Sequence, residues 1–117
     1  MYTSIYIYPV PRDQVAPFLQ VQREAAVIYR QYGAIDDETF GPCNLEGKYG
    51  CAPFPLAFEI EEGEEVFVSL SRFRDLAHHD EVMRQVDGDD RIDQLYRKVS
   101  GLLEVGRVVR GEFERVA

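Results

Sequence analysis

The chain has 117 residues, enough for one domain whose core needs neither metal nor disulfide support. Its 21 aspartates and glutamates outnumber its 13 lysines and arginines, and a net charge of -8 repels a phosphate backbone, so nucleic acid is excluded as an expected partner. No apolar run approaches the ~20 residues of a membrane span and residues 1–8 lack a basic leader, so no targeting segment, no membrane partner and a cytoplasmic location are expected.

In chain order, "YTSIYIY" (residues 2–8) alternates Tyr2, Ser4, Tyr6 and Tyr8 with Thr3, Ile5 and Ile7, the period of a half-buried strand, and Pro9 and Pro11 are expected to end it. From Asp13 to Tyr32, the positions Val15, Phe18, Gln22, Ala25, Tyr29 and Tyr32 recur every three or four residues, with Leu19 and Ala26 widening the stripe and Gly33 as the stop. That spacing predicts a helix, and Pro17 is tolerated near its start. "AIDDETF" reads as a strand entering a Gly/Pro-rich loop, after which "PLAFEI" and "EEVFVSLSRF" read as two strands around Glu62-Gly63. In the second of these, Val66, Val68 and Leu70 share one face, and Phe67, Ser69, Ser71 and Phe73 the other.

A second helix is predicted from Asp75, as N-cap, to Val86, and a shorter one from Asp89 carrying Ile92, Leu95, Tyr96 and Val99. "GRVVRGEFERV" closes as a last strand. The acidic clusters at Asp36-Asp37-Glu38, Glu59 to Glu65 and Asp87 to Asp93 read as solvated turns, because none has the alternating ligand spacing of a calcium loop.

This element order is that of a ferredoxin-like α+β domain, an antiparallel sheet with helices on one face. Placing the aliphatic side of each strand under the helices leaves Tyr2, Ser4, Tyr6, Tyr8, Phe67, Ser69, Ser71 and Phe73 opposite. That side is too aromatic for an open face, so a homodimer is expected, its two sheets enclosing a cavity between these residues.

Several segments together resemble a known family: "SRFRDLAHHDEVMRQVDGDDRI", the ending "GRVVRGEFE", the opening strand, Val10-Pro11 and "YGAI" after the first helix. They are similar to the YbaA-like family of unknown function, which is placed in the dimeric α+β-barrel superfamily. The clearest matches are His78, Asp80, Val82, Asp89, Arg91 and Gly111 to Glu114, and the chain departs from the pattern at Asp90, where proline is common, and around Cys43 to Cys51. The resemblance implies an architecture and no activity. The wider superfamily includes cofactor-independent monooxygenases and haem-degrading oxygenases, some with a histidine on the second helix.

That makes the pair His78-His79 the first place to look for chemistry. Adjacent helical residues diverge by ~100°, so the two imidazoles do not grip one ion. Beside Leu76, Val82, Met83 and Val86, His79 is expected to pack toward the sheet. His78 lies nearer solvent as the one weak catalytic candidate, with Asp75 or Asp80 able to raise its basicity. Cys43 and Cys51 stand eight apart without a C-x-x-C spacing or a nearby histidine, so free thiols are expected ahead of a disulfide, with zinc last. No metal and no cofactor are expected.

The sequence leaves open whether the chain is an enzyme. One reading is a small-molecule binder whose cavity is lined by Tyr6, Tyr8, Ser69 and Ser71, with Arg110 reaching in from the last strand, suited to a small flat or acidic organic ligand. A cofactor-independent oxygenase of the antibiotic-biosynthesis-monooxygenase type is a second. The third is a structural or regulatory dimer with no ligand, its cavity filled by its own side chains.

Overall fold

The computed structural model describes residues 1–117. Four strands, β1 (Tyr2–Pro11), β2 (Asp36–Phe40), β3 (Glu64–Phe73) and β4 (Val109–Glu114), form one antiparallel sheet in the order β2-β3-β1-β4. Four helices, α1 (Val15–Gln31), the short α2 (Phe54–Ala57), α3 (Leu76–Asp87) and α4 (Asp90–Ser100), complete a ferredoxin-like α+β fold. The molecule is flat, with Cα extents of 39 × 37 × 21 Å, as a two-layer domain should be.

Strand β1 continues through Pro9, contrary to expectation, and ends at Pro11. Along β3 it pairs from Tyr2↔Phe73 to Pro11↔Glu64, whereas along β4 it pairs only from Tyr2↔Glu114 to Ile7↔Val109. Beyond Ile7 one side of β1 is therefore a free edge, where proline's missing N–H costs no ladder bond. Helix α1 starts at Val15, after a single 3-10 turn at Arg12–Gln14, so Pro17 falls in its first turn. Its end turns at Gly33, whose φ of +105° lies in the left-handed region where glycine is favoured.

The segment read as the strand "PLAFEI" is a helical turn instead. Pro53 precedes α2 with extended backbone, Pro55 stands early in it, and the amides of Ala57 and Phe58 close onto Pro53 and Phe54 carbonyls. Two prolines deny the ladder its donors and suit a helix start. The last strand is shorter than "GRVVRGEFERV", because Val105–Arg107 forms a separate turn, held by a bidentate Arg107 pair with Glu64 at 2.7 and 2.8 Å.

The helices lie on the opposite face from the one expected. Phe18 of α1 is fully buried against the rings of Tyr8 and Phe67, at centroid distances of 5.1 and 5.4 Å, beside Val10 and Leu103. Phe73 packs with Ala34 and with Val82 and Val86 of α3. Aromatic rings fill the gap between sheet and helices, and the small hydroxyls of Ser4, Ser69 and Ser71 are buried there as well. The open face is the aliphatic one, where Ile5, Ile7, Val68 and Leu70 run in register with Val109 and Phe113, and Phe113 is 56% exposed.

Candidate functional site

The face reversal creates a cavity under the helices. It has a volume of about 230 Å³ and lies within a single chain, between the sheet on one side and helices α1 and α4 on the other. Tyr6, Tyr8, Ser69 and Ser71, the four residues expected to share a cavity, all line it. Cross-strand register places them together: Tyr6 faces Ser69, Tyr8 faces Phe67, and Ser71 sits opposite Ser4 and Asp37. The rings of Tyr6 and Tyr8 stack at 5.8 Å. Helix α1 contributes Val21, Gln22, Ala25 and Tyr29, and α4 contributes Ile92, Leu95, Tyr96 and Val99. Tyr96 is largely exposed and marks the mouth.

Within the apolar wall one polar cluster is fully paired. Gln22 donates from Nε2 to Ser69 Oγ at 2.7 Å and to Thr39 Oγ1 at 3.0 Å, and the two hydroxyls lie 2.9 Å apart. Gln22 interrupts the apolar stripe of α1, and that interruption was the signal in the sequence that the stripe faces hydroxyls.

The residue that sequence reasoning missed is Asp37. Its cluster, Asp36-Asp37-Glu38, forms β2, as the strand reading of this segment expects and the solvated-turn reading does not, and a strand alternates. Asp36 and Glu38 point to the open face, where both pair with Arg72. Asp37 points inward and is the one charged side chain lining the cavity. Ser71 Oγ donates to its Oδ2 at 2.8 Å, and Arg30 Nη1 donates to its backbone carbonyl at 3.0 Å. Burial pushes the Asp37 carboxyl above the usual carboxylate range, and Ser71 and Arg30 offset this in part. Burial likewise raises the phenols of Tyr8 and Tyr29, which stay protonated hydrogen-bond donors at physiological pH.

Arg110 does not reach into the cavity as expected. Its guanidinium lies over the Tyr6 ring at 5.3 Å and donates to Glu112 at 2.6 Å, so the outer face of Tyr6 and the arginine's charge are both taken.

The histidines are apart from this cavity. His79, 8% exposed, packs between Tyr2 and Phe73 at 5.0 and 4.9 Å, with Nδ1 at 2.9 Å from Asp80 and Nε2 at 3.7 Å from Glu112. The Tyr2 hydroxyl also donates to Glu112. His78 has a structural engagement. Its backbone N–H donates to the N-cap Asp75, and its own Nδ1 accepts from the Arg74 N–H at 3.0 Å, a reciprocal cap at the start of α3. It does not line the cavity, and Leu76, counted in the inward stripe, is exposed. Cys43 and Cys51 are both exposed thiols in the loop between β2 and β3.

A two-layer α+β domain of this kind is shared by several known proteins. Residues 1–100 match the family model described as a protein of unknown function, DUF1428, and the chain belongs to that family. Among solved structures, an uncharacterized NIPSNAP domain protein from Burkholderia xenovorans superposes with a TM-score of 0.63 at 13% identity, covering 100% of this chain and 96% of that one. An antibiotic biosynthesis monooxygenase gives a TM-score of 0.63 at 14% identity with both chains covered completely. A protein from Arabidopsis thaliana gives 0.65 at 8% identity, covering 100% and 97%. At these identities the likeness is one of fold alone. A comparison with curated protein sequences gives no match.

Proposed function

We propose that this protein binds a small organic molecule in the cavity between sheet and helices. The observation that carries the reading is the cavity's make-up: mostly apolar and aromatic walls, one satisfied hydroxyl-amide cluster and one ionisable group, the pattern of a ligand site. At about 230 Å³ it is smaller than the ~300–1,000 Å³ of typical drug-sized sites, which suits a ligand with one ring. Open space at this position also weighs against a dimer whose core is packed solid by its own side chains. Thermal-shift screening with small monocyclic compounds tests the reading: a hit should raise Tm in proportion to ln(1 + [L]/Kd), and a cavity-filling Ser69→Leu chain should lose the response. Hits unaffected by Ser69→Leu would overturn it.

The working form in this proposal is a homodimer in the cytoplasm, close to the YbaA-like proteins. The two copies meet through the aliphatic face of Ile5, Ile7, Val68, Leu70 and Phe113, not through the tyrosines, which the chain's own helices cover. A contiguous apolar sheet face of this kind is the sort of surface that a second copy buries.

A second reading, a cofactor-independent oxygenase, is favoured by Asp37. A carboxylate with its proton affinity raised by burial, set in an apolar pocket, is suited to take a proton from a bound carbon acid or phenol before dioxygen adds. Oxygen uptake with cavity ligands, present in the wild type and lost in Asp37→Asn, is the expected result. Equal uptake by both proteins would remove Asp37 from the chemistry.

A further inference from the structure

We propose that the ligand of this cavity is a small organic cation, an amine on a compact aromatic or apolar body, anchored by Asp37. The inference rests on the small-molecule reading above and adds the charge of the ligand. It replaces the expectation of an acidic ligand, because the arginine that was to receive a carboxylate is engaged outside the cavity by Glu112.

Four observations converge on this charge. Asp37 is the one charged side chain in the lining, and no lysine or arginine side chain lines the cavity beside it. Arg30, the cation nearest in the hydrogen-bond pattern, is spent on the backbone carbonyl of Asp37. Only Oδ2 of the carboxylate accepts a protein hydrogen bond, that of Ser71, which leaves Oδ1 free for an ammonium N–H donor. Phenol rings of Tyr8 and Tyr29 also line the cavity, and an aromatic wall attracts a cation, as Tyr6 shows by holding the Arg110 guanidinium over its ring at 5.3 Å. An anionic ligand would meet a half-buried carboxylate whose charge Arg30 and Ser71 offset only in part, a repulsive arrangement. The net charge of -8 adds a long-range field that favours the approach of cations.

The test is isothermal titration of the full chain at neutral pH with three probes of matched shape: benzylamine, benzyl alcohol and benzoate. Benzylamine is expected to bind ~10-fold or more tightly than benzyl alcohol, since the ammonium adds to the hydrogen bond a coulombic attraction to the half-buried carboxylate that the neutral hydroxyl lacks. Benzoate should bind weakest. Benzyl alcohol should displace benzylamine, which places both in the cavity and not on the acidic surface. In Asp37→Asn, benzylamine should lose its advantage over benzyl alcohol.

Equal binding of amine and alcohol, a preference for benzoate, an amine that the alcohol does not displace, or a preference that survives Asp37→Asn would each overturn the cation assignment and leave the small-molecule reading standing. Binding of none of the three would count against both.

Discussion

The behaviour of single residues follows from what each side chain touches. Asp37 is held half-buried with one hydroxyl donor, so folding raises its proton affinity. A carboxyl whose folded value lies above its unfolded one favours the native state when protonated, and that contribution is lost as pH rises through the folded value. Asp37→Asn, which keeps an acceptor for Ser71 without the charge, is therefore expected to raise Tm at neutral pH, with the gain vanishing below the usual carboxylate range. Thermal melts of both proteins across the acidic range check this. The histidines should separate in the same way. His79→Ala removes a buried ring from between Tyr2 and Phe73 and is expected to cost about 1–3 kcal/mol. His78→Ala loses only its half of the α3 cap, roughly 0.5–1 kcal/mol, and urea denaturation should rank the two accordingly.

At the scale of elements, a single carboxylate joins two helices. Asp89 caps α4 by accepting from the Arg91 N–H at 2.8 Å, pairs with the Arg91 guanidinium, and accepts from the Tyr32 hydroxyl at the end of α1 at 2.7 Å. The Arg91 guanidinium first, then Tyr32, holds its carboxyl well below the usual carboxylate range. Its contribution is present above the unfolded value and disappears as pH falls through the folded one. Asp89→Ala should accordingly lower Tm at neutral pH and match the wild type more closely in strong acid, which calorimetry over that range would show.

Elements with a strong period were legible in the sequence. Helix α1, the Asp75 cap, the start of α4 beside Asp89 and the alternation of β3 stand where the spacing puts them, although Val21 and Ile28, both buried, lie outside the stripe read for α1. Two features were not. "PLAFEI" has strand-like composition, and only its prolines' lost donors decide for a helical turn. The choice of sheet face was misjudged because aliphatic residues were assigned to the core by hydrophobicity alone. Phe18, Phe67 and Phe73 bury more area than an isoleucine or valine, and Gln22 and Asp37 give Ser69 and Ser71 their partners on that side. The four cavity residues Tyr6, Tyr8, Ser69 and Ser71 were legible despite this error, because residues i and i+2 of a strand share a face whichever face is covered. Asp37 was hidden by two acidic neighbours that do face outward.

For the whole molecule, the open aliphatic face is the surface on which the proposed dimer rests. Light scattering at micromolar concentration is expected to give twice the chain mass of 13.5 kDa. Ile7→Lys, which places a charge in the middle of that face opposite Val68 and Val109, should give the single-chain mass with the far-ultraviolet spectrum intact. A wild-type monomer would exclude the dimer.

The strand order also sets a schedule for biosynthesis. Strand β1 is made first but sits inside the sheet, between β3 and β4, whose residues are made much later. At ~5–20 residues per second, translation takes several seconds to move from Pro11 to Phe73, and longer still to reach Glu114. Throughout that interval "YTSIYIY" is an unpaired, uncharged, alternating segment on the nascent chain, the kind most prone to pair with another copy. Pro9 and Pro11, which bound its growth at one end, act as its gatekeepers before the fold exists. A chain ending before Val109 would keep one edge of β1 permanently uncovered, and such a product should collect in the insoluble fraction when the intact chain does not.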